Sequence, residues 1–278
     1  MGEALGARVL AASRVSGGDL NDAWKMQLDR AVAPTVFVKT TDDVSAGTFA
    51  AEAAGLLWLA EPRALRVPEV LAVDERFLAL EWVPQGGGLD AAGEEELGRG
   101  LAAVHAAGAP AYGGAHVLRI GPIALDDGPA ETWVECYRDQ RLRPLVRQAR
   151  DRGALDAAGA AVIERVCARM SELAGPPEPP ARLHGDLWSG NVLADVTGRP
   201  WLVDPAAYGG HREIDLAMLR LFGGPGERCF AAYHEAAPLA DGHAERAALW
   251  QLFPLLVHAV LFGGGYGTRA AAAARRYV

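Results

Sequence analysis

The sequence predicts an α+β fold with two lobes: a small N-terminal lobe with an antiparallel sheet and one helix, and a larger, mostly helical C-terminal lobe. Short apolar runs bounded by turn residues occur up to position 83, whereas apolar residues recur at helical spacing beyond 89. Between these regions lies the segment P-Q-G-G-G at 84–88, whose composition predicts a flexible connection. We therefore predict lobes at 1–83 and 89–278, joined by a linker at 84–88.

The N-terminal lobe shows two clear strand patterns with a helical pattern between them. The apolar runs at 36–38 and 77–80 predict strands. The residues that predict a buried helix face are Phe49, Ala53, Leu56, Leu57 and Ala60. Glu52 lies at the edge of this face, and Lys39 directly follows the first strand.

Three long helical patterns follow in the C-terminal lobe, at 97–104, 162–173 and 249–260. The longest apolar run, 249–262, is shorter than the ~20 residues that span a bilayer. It contains Pro254, so we predict a core helix with a proline kink.

Composition excludes some classes of protein. The 278 residues carry a formal net charge of −8, which argues against nucleic-acid binding because that needs clustered Lys and Arg. The three cysteines are odd in number and widely spaced, so they predict reduced thiols rather than disulfides or a metal knuckle. No export signal or lipid anchor is visible near the N-terminus. We expect a cytoplasmic monomer that binds neither membrane nor nucleic acid.

The strongest chemical signal is H-G-D-L-W-S-G-N at 184–191, with Asp204 thirteen residues after Asn191. Two short strands at 192–193 and 201–203 predict a hairpin that brings these polar groups together. Phosphoryl transfer needs a carboxylate that orients or deprotonates the attacking hydroxyl, and oxygen ligands that hold Mg²⁺ against the phosphates. Asp186 suits the first role, and Asn191 and Asp204 suit the second. The D-x-x-x-x-N spacing matches the catalytic loop of protein kinases, so we predict a protein-kinase-like fold.

A second signal comes from the N-terminal lobe. Protein kinases anchor ATP with a strand lysine that is paired to a helix glutamate. Lys39 and Glu52 stand where such a pair is expected, and the chain has only one other lysine, Lys25. A lysine that persists among so many arginines favours a specific role, because an ammonium and a guanidinium are not interchangeable.

Further ATP contacts are expected on both sides of that strand. A glycine-containing loop before it could cover the phosphates, although a plain β-turn explains the same residues almost as well. The loop residues expected to contact ATP are Ser16, Gly17, Gly18, Asp19 and Asn21. By position, the backbone of Glu81 and Val83 should meet adenine at the lobe junction.

Four other residues stand out locally. Asp215 lies at the start of a helix, where a simple cap and a functional role are equally good explanations. Trp188 lies in the predicted catalytic loop and favours a stacking wall for a substrate ring. His105 and His258 fall near apolar helical faces and are interpreted as core histidines.

Several motifs together resemble the fructosamine kinase (ketosamine-3-kinase) family, relatives of the aminoglycoside phosphotransferases. They are S-G-G-D-L-N-D-A-W at 16–24, F-V-K at 37–39, W-V-E-C-Y-R-D-Q-R-L-R-P at 133–144, H-G-D-L-W-S-G-N at 184–191, D-P-A-A-Y-G-G-H-R-E-I-D-L-A-M at 204–218 and L-F-G-G-G-Y at 261–266. The resemblance therefore covers nearly the whole chain.

The resemblance implies transfer of phosphate from ATP, with Mg²⁺, to the 3-hydroxyl of a ketosamine such as ribulosamine or fructosamine on a lysine or a free amine. The unstable product would release the amine, which is deglycation. The implied roles are Asp186 as base, Asn191 and Asp204 as Mg²⁺ ligands, Lys39 and Glu52 as phosphate anchor, Trp188, Trp133 and His211 in the substrate pocket, and Asp215 and His184 as structural support.

The chain departs from the family pattern at a few positions. Leu118-Arg119-Ile120-Gly121 stands where the family usually has Asn-x-Ile-Gly, and Val260 stands where it often has Asn. No cysteine occurs at 16–21, so we expect no redox control there.

The sequence leaves three alternatives open. A kinase of another hydroxyl compound, such as an aminoglycoside, would differ only in the acceptor pocket. A non-catalytic nucleotide-binding regulator is disfavoured because Lys39, Asp186, Asn191 and Asp204 are all present. A metal hydrolase built on His184 and Asp186 lacks further histidines at ligand spacing.

Overall fold

The computed structural model describes residues 4–15, 22–42, 47–114 and 117–278 and arranges them as two lobes around a deep cleft. The upper lobe contains one antiparallel sheet in the order β1-β2-β3-β5-β4. Its strands are β1 (Val9–Arg14), β2 (Asp22–Leu28), β3 (Thr35–Thr40), β4 (Val70–Val73) and β5 (Phe77–Glu81). The predicted strands at 36–38 and 77–80 are thus adjacent in the sheet.

Each face of this sheet has its own core, because side chains alternate along a strand. Val36 and Val38 pack into one apolar cluster with Met26. The opposite face is covered by helix α1 (Thr48–Ala60), which follows β3. Lys39 is adjacent to Val38 and therefore points to the side on which α1 lies.

Helix α1 confirms the helix that the apolar spacing predicts, with two errors on its buried face. Phe49, Ala53 and Leu56 are buried against the sheet. Two other residues that the pattern places on this face are exposed: Leu57, at 59%, and Ala60. Consecutive helical residues point about 100° apart, so Leu56 and Leu57 cannot both face a flat sheet.

The lower lobe is mostly helical, as predicted. Its helices are α2 (Ala91–Ala106), α3 (Trp133–Glu135), α4 (Arg143–Asp151), α5 (Ala157–Ala168), α6 (Met170–Leu173), α7 (Glu213–Leu221), α8 (Glu227–Ala236), α9 (His243–Trp250), α10 (Leu252–Phe262) and α11 (Tyr266–Ala274), with a π-helical turn at Cys136–Leu142 and 3₁₀ turns at Ser189–Asn191 and Arg275–Tyr277. In the part of the chain that the structure describes, no helix combines the length and apolarity needed to cross a membrane.

In the described part of this lobe, three two-stranded sheets accompany the helices. They are formed by β6 (Val117–Ile120) with β7 (Ile123–Asp126), β8 (Ala181–Leu183) with β11 (Tyr208–Gly210), and β9 (Val192–Ala194) with β10 (Pro200–Leu202). The pair β9–β10 is the predicted hairpin that separates Asn191 from Asp204.

Two predicted helices are interrupted. The pattern at 162–173 divides at Arg169 into α5 and α6. The run at 249–262 divides at Gln251, where a kinked but continuous helix was predicted. Pro254 has no N–H to donate to the carbonyl of Trp250 four residues earlier. That carbonyl instead accepts from the hydroxyl of Tyr137 at 3.1 Å.

The connection between the lobes is held by the β9–β10 hairpin. Gly86 N donates to Ala194 O at 2.8 Å, and Val196 N donates to Pro84 O at 3.0 Å. The flexibility expected for this segment from its composition is therefore wrong for 84–86, because two long-range backbone bonds fix it in place.

Candidate active site

A cleft of about 2080 Å³ separates the two lobes and receives residues from both. The predicted site residues that line it are Lys39, Glu52, Glu81, Val83, Asp186, Trp188, Asn191 and Asp204. The predicted phosphate-loop residues Ser16, Gly17, Gly18, Asp19 and Asn21 lie outside the described part of the chain.

Lys39 forms the predicted ion pair with Glu52 and a second one across the cleft. Its Nζ lies 2.8 Å from Glu52 Oε1 and 2.7 Å from Asp204 Oδ1. Burial alone would lower the pKa of Lys39, but the two carboxylates outweigh it and raise that pKa. The ammonium is therefore fixed in its charged form between the lobes.

Asp186 and Asn191 are held together by the 3₁₀ turn at Ser189–Asn191. Asn191 Nδ2 donates to Asp186 O at 2.8 Å and to Asp186 Oδ2 at 3.1 Å. Burial, and then the negative charge of Asp204, raise the pKa of Asp186 to about 7. A carboxylate with a pKa near neutrality is well suited to take a proton from a hydroxyl.

Asp215 contacts the backbone of the loop at 184–191. Its carboxylate is fully buried and accepts from the backbone N–H of His184 at 2.7 Å and of Gly185 at 3.0 Å. It also lies 3.3 Å from His105 Nε2, a histidine that is buried as predicted. Asp215 thus binds another segment of the chain rather than capping α7.

His184 connects the loop to the segment that precedes Asp204. Its Nε2 lies 2.9 Å from Val203 O, and its Nδ1 lies 3.3 Å from Asp186 N. Burial lowers the pKa of His184, so the ring is neutral, with Nε2–H donating and Nδ1 accepting. One imidazole therefore positions both Asp186 and Asp204 through backbone contacts.

Backbone geometry explains two residue choices in this region. Gly185 has a φ of 81°, and a Cβ there would meet Ala206 O at 2.0 Å. Asp204 adopts a φ of 55°, which is uncommon outside glycine although tolerated by aspartate. Such backbone conformations concentrate at functional sites, where the surroundings hold them.

The oxygen groups fit a magnesium ion that is shared with phosphates. Because Asn191 Nδ2 donates to Asp186, the amide oxygen of Asn191 remains for a cation, and Asn191 also contacts Asp204 O at 3.4 Å. Among the described residues, no group of three or more His, Cys, Asp or Glu could hold a metal alone. Mg²⁺ characteristically binds one or two protein oxygen ligands and completes its shell with phosphates and water.

An aromatic wall lies on the lower-lobe side of the cleft. Trp188 is 40% exposed there, and Phe222, His258 and Tyr266 line the same cleft. His258 stacks on Phe222 with ring centroids 4.6 Å apart, and its Nδ1 lies 2.8 Å from Pro254 O. The interpretation of His258 as a core residue was therefore incomplete. The L-F-G-G-G-Y motif at 261–266 was the available signal for this wall.

Two residues assigned to the substrate pocket are not brought to the cleft. Trp133 is buried and stacks on Tyr137 at 5.2 Å. His211 is buried and stacks on Trp250 at 5.4 Å. Neither lines the cleft. Aromatic side chains in a motif can serve the core of the lobe as well as its binding surface, and sequence alone does not separate these cases.

A two-lobed fold with a buried Lys–Glu pair above an Asp, Asn and second Asp defines a small-molecule kinase of the protein-kinase-like class. Comparison with known proteins gives the narrower assignment. A family model described as fructosamine kinase matches residues 3–278. The chain belongs to the fructosamine kinase family.

Individual relatives match over most of their length. A probable ketoamine kinase from Synechocystis is 34% identical, covering 95% of this chain and 88% of the relative. A protein-ribulosamine 3-kinase from Arabidopsis thaliana is 32% identical, covering 96% and 82%. A crystal structure of a candidate fructosamine-3-kinase from Thermobifida fusca is 43% identical, with a TM-score of 0.92 and coverage of 99% and 96%.

Proposed function

We propose that the protein transfers the γ-phosphoryl group of ATP, with Mg²⁺, to the 3-hydroxyl of a ketosamine such as a ribulosamine or fructosamine. The observation that carries this proposal is the convergence of Lys39, Asp186, Asn191 and Asp204 in one cleft. The similarity to ketoamine and ribulosamine kinases supports the acceptor class.

Asp186 is the proposed base. Its carboxylate lines the cleft, and its raised pKa favours accepting the proton of the attacking hydroxyl as the new O–P bond forms. Asp215 and His184 act as positioning residues, because they hold the backbone of the loop that carries Asp186.

The nucleotide would lie between the lobes. The Lys39 ammonium would bind phosphate oxygens while Glu52 keeps it in place. Mg²⁺ held by Asn191 and Asp204 would neutralise negative charge on those oxygens. The backbone of Glu81 and Val83, at the lobe junction, would meet adenine.

Two further parts of the proposal rest on the sequence. The loop residues Ser16, Gly17, Gly18, Asp19 and Asn21 would cover the phosphates with backbone N–H groups. On the acceptor side, the exposed indole of Trp188 would stack on the sugar ring.

The product would be a ketosamine 3-phosphate, whose breakdown releases the amine. In this proposal the nucleotide lobe is 1–83, the connection between the lobes is 84–88 and the catalytic lobe is 89–278.

We propose that the protein works as a monomer in the cytoplasm. Light scattering of the purified protein would test the monomeric state. Its cysteines, Cys136, Cys167 and Cys229, are all free and buried.

A substrate panel tests the function. Purified protein with Mg-ATP would be offered ribulosamine, erythrulosamine and fructosamine adducts beside an aminoglycoside, and ADP release would be measured. We expect turnover of the ketosamines alone. If the protein phosphorylated the aminoglycoside and none of the ketosamines, the proposed acceptor class would be wrong. Asp186→Ala should abolish turnover while nucleotide binding persists.

A further inference from the structure

Arg119 is a cation in the cleft wall that none of the roles above uses. It lies on β6, opposite Ala124 of β7. Its neighbours Leu118 and Ile120 are buried in the lower-lobe core, so alternation along the strand directs Arg119 away from that core. It is half-buried and lines the cleft. Within the described ranges, its guanidinium has no ion-pair or hydrogen-bond partner.

Strand β6 belongs to the lower lobe, so Arg119 lines the lower-lobe wall of the cleft. Leu118, Ile120 and Val257 belong to one apolar cluster of the lower lobe, and all three line the cleft. Val257 is next to His258 on α10, the helix that contributes to the aromatic wall. The sheet residues of the upper lobe belong to separate clusters.

Among the described residues, the other titratable groups of the lower-lobe wall have partners or proposed roles of their own. Asp127 is paired with the buried guanidinium of Arg141. Burial lowers the pKa of His258, so its ring is neutral. Asp186 and Asp204 belong to the catalytic group. Because this guanidinium faces the cleft without a protein acceptor, its N–H groups are available to a ligand. The ligand group that matches its planar fork is a carboxylate.

We propose that Arg119 binds a carboxylate on the amine portion of the acceptor, so that ketosamines of free amino acids or other carboxylate-bearing amines are preferred. This inference rests on the proposed function and narrows its substrate class. The aromatic wall would hold the sugar and the carbon chain, while Arg119 would fix the far end of the molecule.

A matched pair of acceptors isolates this contact. The ribulosamines of β-alanine and of β-alaninamide differ only in the presence of the carboxylate. For the wild-type enzyme, we expect kcat/KM to favour the acid by about 10–100-fold, the range of a hydrogen-bonded charge pair. Arg119→Gln should bring the ratio of the two kcat/KM values close to one, and Arg119→Lys should keep part of the preference. Arg147→Gln, an exposed arginine on α4, is the control and should leave the ratio unchanged.

Two outcomes would overturn the inference. If the ratio of the two kcat/KM values is near one for the wild-type enzyme and Arg119→Gln does not change it, the carboxylate site is contradicted. The proposed ketosamine kinase activity would be unaffected by that result. If Arg119→Gln lowers kcat/KM equally for both acceptors and also raises KM for ATP, Arg119 would instead contact the nucleotide.

A binding measurement keeps the inference separate from turnover. Thermal stabilisation of Asp186→Asn by each ribulosamine should favour the acid and should lose that preference when Arg119→Gln is added. If wild-type protein turned over neither compound, this binding preference would support the carboxylate site although the proposed function had failed. Absence of the preference would contradict the site.

Discussion

Lys39 Nζ lies 2.7 Å from Asp204 Oδ1, and this ion pair joins the upper lobe to the lower lobe. Lys39 is at the end of β3, whereas Asp204 follows β10. Since Glu52 holds the same ammonium at 2.8 Å, the lysine is fixed from its own lobe and meets the proposed metal ligand from the other. The pair therefore sets the position of Lys39 relative to Asp204 and the loop at 184–191.

Replacement of Lys39 tests the importance of a compact ammonium at this position. Lys39→Arg should lower kcat/KM for ATP by about 10²–10³-fold, because a longer planar guanidinium cannot keep both carboxylate contacts and still reach the phosphates. The measurement is initial-rate kinetics at varied Mg-ATP.

Lys25 provides the matched control, since it is the other lysine of the chain. Its Nζ lies 4.5 Å from the centroid of the Trp82 ring, a contact that arginine can also make. Lys25→Arg should leave the kinetics nearly unchanged. Equal losses in both variants would contradict a specific role for Lys39.

The raised pKa of Asp186 implies a cost to stability that depends on pH. Burial raises this pKa from 3.8 to about 7 in the fold, so the carboxyl is protonated in both folded and unfolded chains below pH 4 and imposes no penalty there. The penalty grows from pH 4 to 7 and is constant above. Asp186→Asn should therefore stabilise the protein in EDTA at pH 8 by on the order of 2–4 kcal/mol, and by less at pH 5.

Urea unfolding at the two pH values measures this difference. Asp156→Asn is the control, because Asp156 caps α5 and asparagine is an equally good cap. We expect Asp156→Asn to change stability by less than about 0.5 kcal/mol. A lower stability of Asp186→Asn at pH 8 would show that the carboxylate is not desolvated at that position.

The sequence predicted which polar residues meet in the cleft because these residues depend on short spacings. Asp186 and Asn191 are five residues apart, and the turn that joins them forms locally. Lys39 follows a strand whose apolar pattern is clear. Both signals come from a few consecutive residues, so no knowledge of distant contacts was needed.

Features that depend on distant contacts were missed or wrongly assigned. The aromatic wall combines Trp188, Phe222 and His258, which come from three separate segments of the chain. Trp133 looked equally suited to a pocket, but the packing of the lower lobe buries it. The glycine-rich connection is predicted to be flexible because composition indicates only the intrinsic backbone freedom of a segment. The β9–β10 hairpin that fixes this connection is about 110 residues away in sequence.

Two adjacent glycines test the fixed connection between the lobes. A Cβ at Gly86 would meet Asp195 O at 2.3 Å, whereas a Cβ at Gly87 would meet nothing within 4 Å. Gly86→Ala should lower the free energy of unfolding by about 1–3 kcal/mol through overpacking. Gly87→Ala should be neutral or slightly stabilising. Thermal unfolding distinguishes them, and identical melting temperatures would mean that the hairpin does not hold this segment.

Replacement of Trp188 tests the proposed role of the aromatic wall in acceptor binding without disturbing the nucleotide. Trp188→Ala should raise KM for the ketosamine by about 3–10-fold, the size of a lost aromatic contact. KM for ATP and the melting temperature should stay close to wild type, because the indole is already 40% exposed. A parallel rise in both KM values would place Trp188 at the nucleotide instead.

The position of the transferred phosphate tests the central claim most directly. A ribulosamine labelled with ¹³C at C3 would be incubated with Mg-ATP and the wild-type protein, or with Asp186→Asn, and the product examined by ¹³C and ³¹P NMR. We predict a phosphorus coupling on C3 with wild-type protein and none with Asp186→Asn. Phosphate on another carbon, or undiminished product with Asp186→Asn, would contradict a ketosamine 3-kinase in which Asp186 is the base.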